Sequence, residues 1–326
     1  MADEALILIE CQGDVAWLRL NIPERLNPLA QPLQVAMREQ LAKKTFKPCG
    51  SQDHESRGWV PPFDGGELVH AIGFNWLVCM QVEAKLLPPA VINKEADKRA
   101  AEIEEQQGFK LGRKVMKGVR KQVTTELLPR AFTRIRKTFA WLNVQAGWLV
   151  VDAASERKAE DVLELLRHSL DTFPLALLRT ERSPMSAMAD WLAGEAPEGF
   201  TINQDFALQS IAEDRARATF KGHDLEAAHV AEHLEAGHLP IKLAMTFDDR
   251  LSFVLTDRGA LKRIDFLDVI RDQVAADEHE DAKALFDAEF ALMTGELLRL
   301  LPAIVAAMGG ELARTPDLID NAKEQA

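Results

Sequence analysis

Two proline boundaries, Pro88-Pro89 and Pro129, set one stretch of this chain apart from the rest and limit what it can fold into. Between them, from about Val91 to Leu128, runs a helical pattern, while the residues on either side read as strands. The chain must therefore carry a helical insertion between two strand-bearing segments. Gly108, Gly112 and Gly118 weaken the insertion, since each costs about 1 kcal/mol relative to Ala inside a helix. A break near Gly108 is expected.

The insertion is also where charge is uneven. Lys110 to Lys137 hold ten of the 39 basic residues against one acidic residue, Glu126. This window carries +9 in a chain whose net charge is −12, so the remainder carries −21. Lys110, Arg113, Lys114, Lys117 and Lys121 recur at helical spacing and form one stripe, with Arg120 on its edge. So few acids lie nearby that the stripe differs from the balanced ion-pair lattice of an ordinary solvated helix. A local positive face can meet a polyanion whatever the net charge, because acidic surface beyond a Debye length of about 8 Å is largely screened. The bland counterpart is a charged helix end on a protrusion.

Around the insertion the pattern alternates. Ala5 to Ile9 and Val15 to Leu20 read as strands, and Pro32 to Lys44 as a helix. A turn-rich stretch follows, from Lys47 to Pro62. Leu68 to Ile72 and Trp76 to Val82 read as a strand pair, as do Phe139 to Asn143 and Trp148 to Asp152. Ser155 is placed to cap a helix running from Glu156 to His168. Further on, a short helix falls around Met188 to Leu192, a strand at Arg215 to Phe220 and a helix at Leu225 to Glu235. The strands Ile241 to Phe247, Leu251 to Thr256 and Ala260 to Phe266 are followed by a helix from Lys283 to Met308. Hairpin-length turns make the expected class α+β, with antiparallel sheets and packed helices.

With 47% hydrophobic and 28% charged residues the composition fits a globular protein with ample core material. No uninterrupted apolar run has membrane-spanning length, and the start lacks the basic region of a secretory signal. Cys11, Cys49 and Cys79 are odd in number and widely spaced, which suits reduced thiols in a cytoplasmic protein.

Catalytic motifs are few. His229-Val230-Ala231-Glu232-His233 matches the inverted zincin pattern, in which two His on one helix face bind zinc and the Glu serves as base. A zinc-dependent hydrolase using His229, Glu232 and His233 is thus one functional alternative, although the sequence points to no third ligand. A protein-interaction scaffold whose basic helix meets an acidic partner is another. No phosphate-cradling glycine motif is present, and no cofactor is expected. Gly13 to Asn21 with Pro23 to Asn27 look like the opening strand and turn of crotonase-type enoyl-CoA hydratases. The glycine-rich segments of that oxyanion hole do not follow, and the likeness is read as coincidence or as a foreign or misassigned start.

A broader resemblance spans about Leu41 to Gly310. Lys47-Pro48-Cys49-Gly50-Ser51-Gln52, Gly58-Trp59-Val60-Pro61-Pro62, Leu86 to Ile92, Leu127-Leu128-Pro129-Arg130-Ala131-Phe132, Lys158-Ala159-Glu160-Asp161 and Leu292-Met293-Thr294-Gly295-Glu296-Leu297 occur in order. In these the chain resembles RdgC, the bacterial recombination-associated protein family. Residues 1 to about 30 do not match that family's usual Trp-Phe-Lys-Asn-like opening. The resemblance implies a non-enzymatic, sequence-independent binder of double-stranded DNA, cytoplasmic and nucleoid-associated. It implies an elongated, horseshoe-shaped subunit closing as a homodimer into a ring around DNA and restraining a RecA-type recombinase by competing for DNA. The corresponding domains are a central α+β domain (1–85 with 138–182), a basic helical tip (86–137) and a second α+β base domain with C-terminal helices (183–326). The expected DNA contacts are Lys110, Arg113, Lys114, Lys117, Arg120, Lys121, Arg130, Arg134, Arg136 and Lys137. Phe132 corresponds to a position at one of that family's ring-closing contacts.

Overall fold

The structure, a computed structural model, describes residues 14–20, 30–153, 155–171, 175–211, 216–222, 232–267 and 281–312. The strand expected at Ala5 to Ile9 lies outside them, as does most of the helix expected at Leu225 to Glu235.

In chain order the elements are β1 (Asp14–Leu20), α1 (Ala30–Ala42), β2 (Glu55–Val60), β3 (His70–Ile72), β4 (Asn75–Leu86), α2 (Pro89–Gln107), α3 (Arg113–Leu127), β5 (Phe132–Asn143), β6 (Trp148–Ala153), α4 (Glu156–Ser169), β7 (Leu175–Leu177), α5 (Pro184–Ala193), β8 (Phe200–Ser210), β9 (Arg217–Phe220), β10 (His238–Phe247), β11 (Leu251–Thr256), β12 (Leu261–Phe266) and α6 (Ala282–Ala307). The class is α+β. One open sheet runs β2-β4-β5-β6-β1-β12-β11-β10-β8-β9, with β3 alongside β4 and β7 alongside β1. All its described strand pairs are antiparallel.

Two cores hold helices to this sheet. Val78, Met80, Ala140, Leu142, Leu149 and Val151 pack with Met37 and Leu41 of α1 and with Val162 and Leu166 of α4. The alternate residues of the same strands, Leu77, Trp141, Trp148 and Val150, belong to a second core. It continues through Leu243, Phe253 and Leu261 to Trp191 of α5 and Phe290, Leu300 and Ile304 of α6. The period-2 pattern of a strand thus feeds both layers, and β4 over 76–80, β5 over 140–143 and β6 are buried on both faces. Helix α6 is long and apolar enough to cross a membrane by composition alone. Here it is a core helix, and its buried Glu296 accepts from Arg250 Nε at 3.0 Å.

Several expectations need correction. The stretch from Lys47 to Pro62 holds a strand, β2, that its Gly and Pro content concealed. A Cβ on Gly58 would lie 2.4 Å from the Phe46 backbone, so this glycine serves the close approach of a neighbouring chain segment, which forms a parallel bridge between Thr45 and Trp59. Strand β8 has no counterpart among the expected elements. Ser155 occupies the N-cap position of α4, but its side chain makes no capping bond. Strand β5 begins at Phe132, seven residues before the expected Phe139, because β4 supplies a partner for every residue from Leu86↔Phe132 to Asn75↔Asn143. That long ladder is what carries the helical insertion outward.

Candidate nucleic-acid interface

The insertion is a helical hairpin between the far ends of β4 and β5. Pro89 opens α2 at a position where the missing N–H costs nothing. Gly108 ends it with φ 77°, and its N–H donates to Glu104 O at 2.8 Å. The break expected near Gly108 is therefore present. Ala96, Val119 and Val123 are buried between the helices, with Ile92, Ile103, Leu111, Met116 and Leu127 packed around them.

This small core decides which side of α3 faces outward. Met116, Val119, Val123 and Leu127 take one stripe of the helix, and Arg113, Lys114, Lys117, Arg120 and Lys121 take an adjoining arc of about 120°. All five, together with Lys110, are exposed. None of the six is in an ion pair among the described residues. Glu126, the one acid in the basic window, is drawn toward α2, where Arg99 Nη2 lies 2.6 Å from its carboxylate. That bond from Arg99 holds the Glu126 carboxyl below its ordinary range. Gly112, at the N-cap of α3, offers no capping side chain, so the positive end of the helix dipole adds to the same region.

The second basic group is less unified. Arg130 ends a short 3-10 turn, Leu128–Arg130, that leads into β5. All of Arg130, Arg134, Arg136 and Lys137 are exposed. Strand alternation puts Arg134 and Arg136 on the sheet face that carries α4 and Lys137 on the opposite face, so these three do not share one surface. Lys137 also reaches toward Asp64, at 3.7 Å. Phe132 is 84% exposed and Ile135 56%, so neither side chain packs into a core. Strand β6 pairs with β5 only from Phe139 to Asn143, so residues 132–138 show an edge that no described strand covers.

Residues that sequence reasoning passed over fix the base of the hairpin. Cys49 N–H donates to the Glu83 carboxylate at 2.7 Å, and the Cys49 thiol donates to Glu83 O at 3.0 Å. The backbone donor keeps Glu83 in its charged form, below the usual carboxylate range. Gln52 reaches Thr125 O near the end of α3 at 3.4 Å. The Lys47-to-Gln52 motif is thus a strap across β4 and α3. Its only sequence signal is a turn-forming Pro-Cys-Gly run, which names no partner. Burial pushes the Cys49 thiol upward and Cys79 up to about 12, so neither is a ready thiolate. Cys11 lies outside the described residues.

The zincin-like motif is divided. His229 lies outside the described residues, while Glu232 and His233 are within them. The His233 ring packs edge-on against Phe220 and His238, at centroid distances of 5.4 and 5.2 Å. Among the described residues no three His, Cys, Asp or Glu side chains gather to hold a metal ion.

Fold and surface together define an α+β protein whose open antiparallel sheet carries a basic helical hairpin. A family model described as "Putative exonuclease, RdgC" matches residues 25–311. The chain belongs to the RdgC family. It is 49% identical over 278 residues to the recombination-associated protein RdgC of Dechloromonas aromatica, covering 84% of this chain and 91% of that protein. It is 46% identical over 296 residues to the protein of the same name from Cupriavidus pinatubonensis, covering 90% of this chain and 99% of that protein. The Ralstonia nicotianae protein of that name is 45% identical over 291 residues, covering 88% and 94%.

Proposed function

We propose that this chain binds double-stranded DNA through the phosphate backbone, without sequence preference and without catalysing a reaction on it. The observation that carries this reading is the exposed, unpaired arc of Lys110, Arg113, Lys114, Lys117, Arg120 and Lys121, whose acidic neighbour Glu126 is already neutralised from α2. Lysine and arginine at phosphates release condensed counterions, which gives affinity with no base readout. Arg130, Arg134 and Arg136 extend the contact, while Lys137, on the other sheet face, contributes less. In this reading residues 86–137 act as the tip, 1–85 with 138–182 as the central domain and 183–326 as the base. Two horseshoe-shaped copies close into a ring around the duplex, and an aromatic side chain as exposed as Phe132 suits one ring-closing contact. Occupying DNA in this way restrains a RecA-type recombinase by competition. The site of action is the cytoplasm, on the nucleoid.

The deciding experiment measures binding of a fluorescent duplex of arbitrary sequence across a salt series, for wild type and for Lys114→Glu/Lys117→Glu. Wild type should lose affinity log-linearly with salt, and the variant's slope should be shallower by about 2. Wild type that ignores the duplex at low salt would sink the proposal. Because the family's description names an exonuclease, the same end-labelled duplex should be incubated with Mg²⁺. It should stay intact, and progressive shortening that purified wild type alone causes would overturn the non-enzymatic part.

A further inference from the structure

Phe109 lies at the turn of the basic hairpin, 65% exposed, between the helices that make its small core. The turn holds it there from both sides. Gly108 N–H is bonded to Glu104 O at 2.8 Å, and Leu111 N–H to the Glu104 carboxylate at 2.7 Å. Leu111, two residues further, packs into the hairpin core, whereas Phe109 does not. One acidic side chain and one left-handed glycine therefore present an aromatic ring to solvent on an ordered turn. Its neighbours are cationic: Lys110 follows it directly, and Arg113 and Lys114 open α3.

An exposed ring beside several cations matches the two halves of a nucleotide, the phosphate to the cations and the base to the ring face. A base already stacked within a duplex has no free face to offer. An unpaired base at a gap, end or single strand does, and aromatic stacking on it is indifferent to sequence. Resting on the DNA-binding reading above, we infer that Phe109 is a stacking platform for an unpaired nucleobase, set beside the phosphate contacts of Lys110, Arg113 and Lys114. The hairpin then has two ligand modes. Intact duplex engages the basic arc alone, and DNA with an unpaired base engages the arc and the ring together.

The test uses the full chain with an intact duplex and with the same duplex carrying a short central gap whose unpaired strand contains 2-aminopurine. Phe109→Ala should bind the intact duplex as wild type does, with the same salt slope. It should bind the gapped duplex roughly 5- to 160-fold more weakly. Wild type should quench 2-aminopurine fluorescence, Phe109→Trp should retain the quenching and Phe109→Ala should lose it. Equal binding of the gapped duplex by wild type and Phe109→Ala, with duplex binding intact, would overturn the platform and leave the DNA-binding reading standing. Failure of wild type to bind either DNA would overturn both. A change in sedimentation of Phe109→Ala without a change in quenching would assign the ring to contacts between copies of the chain instead.

Discussion

The helical hairpin and the α6 layer are both helix packing, yet they solve different problems. Helix α6 buries Phe290, Leu297, Leu300, Leu301 and Ile304 against a broad sheet, and its inward Glu296 is held by Arg250 and Arg299. The hairpin buries Ala96, Val119 and Val123 and leaves its charges outside. In α6 most positions are buried or half-buried, and a charge that turns inward, as Glu296 does, is held by partners. In α3 packing occupies one stripe, and the remaining surface carries five cations, with Lys110 just before the helix, none of them in an ion pair among the described residues. The smallest of the three cores is the one that leaves a helix face free for charge.

Leu300→Ala removes a fully buried side chain from the α6 core and should lower global stability by about 2–5 kcal/mol, read as a shifted denaturation midpoint. A midpoint unchanged within error would show that α6 does not govern the global transition. Val123→Ala, at an equally buried site in the hairpin, should cost about 1–2 kcal/mol. This loss should be local, so amide exchange should quicken across α2 and α3 while the global midpoint hardly moves. Equal acceleration in α6 would mean the two regions open as one.

The smallest effect depends on pH. His70 opens β3 and meets α6, its ring edge-on to Phe286 and Phe290 at 5.0 and 5.6 Å. Its Nε2 lies 3.1 Å from Asp287 Oδ1, yet neither atom has a hydrogen-bond partner. Burial pushes the imidazole below its ordinary 6.5, the nearby Asp287 charge opposes that shift, and Lys283 adds to it. A lowered folded value means the unfolded chain takes up the proton first. Stability is therefore full above about pH 6.5 and declines as pH falls from there toward the folded value. His70→Phe should flatten that part of the stability profile. A wild-type profile that rises on acidification through this window would contradict the assignment.

Much of the site was legible in the sequence for a local reason. Charge spacing, proline boundaries and a helix-breaking glycine depend only on near neighbours, and the stripe on α3 and the break at Gly108 both emerged where they were expected. The family, too, was written in ordered motifs. What those motifs do was not. The Lys47-to-Gln52 run is a strap because Glu83 and Thr125 happen to lie across from it, 34 and 73 positions away in their respective bonds. Strand β2 was hidden because Gly58 reads as a turn residue until Phe46 is seen beside it.

By itself, then, the sequence determined that a basic helical segment is set off by proline within an α+β chain, since periodicity and charge are properties of adjacent residues. Only the tertiary structure decided that Glu126 turns to Arg99, that Arg134 and Lys137 part to opposite faces, and that Phe109 and Phe132 stay in solvent while Leu111 goes in. Those outcomes depend on which partner reaches a side chain across space, and burial and pairing are shared between residues that a linear pattern keeps far apart.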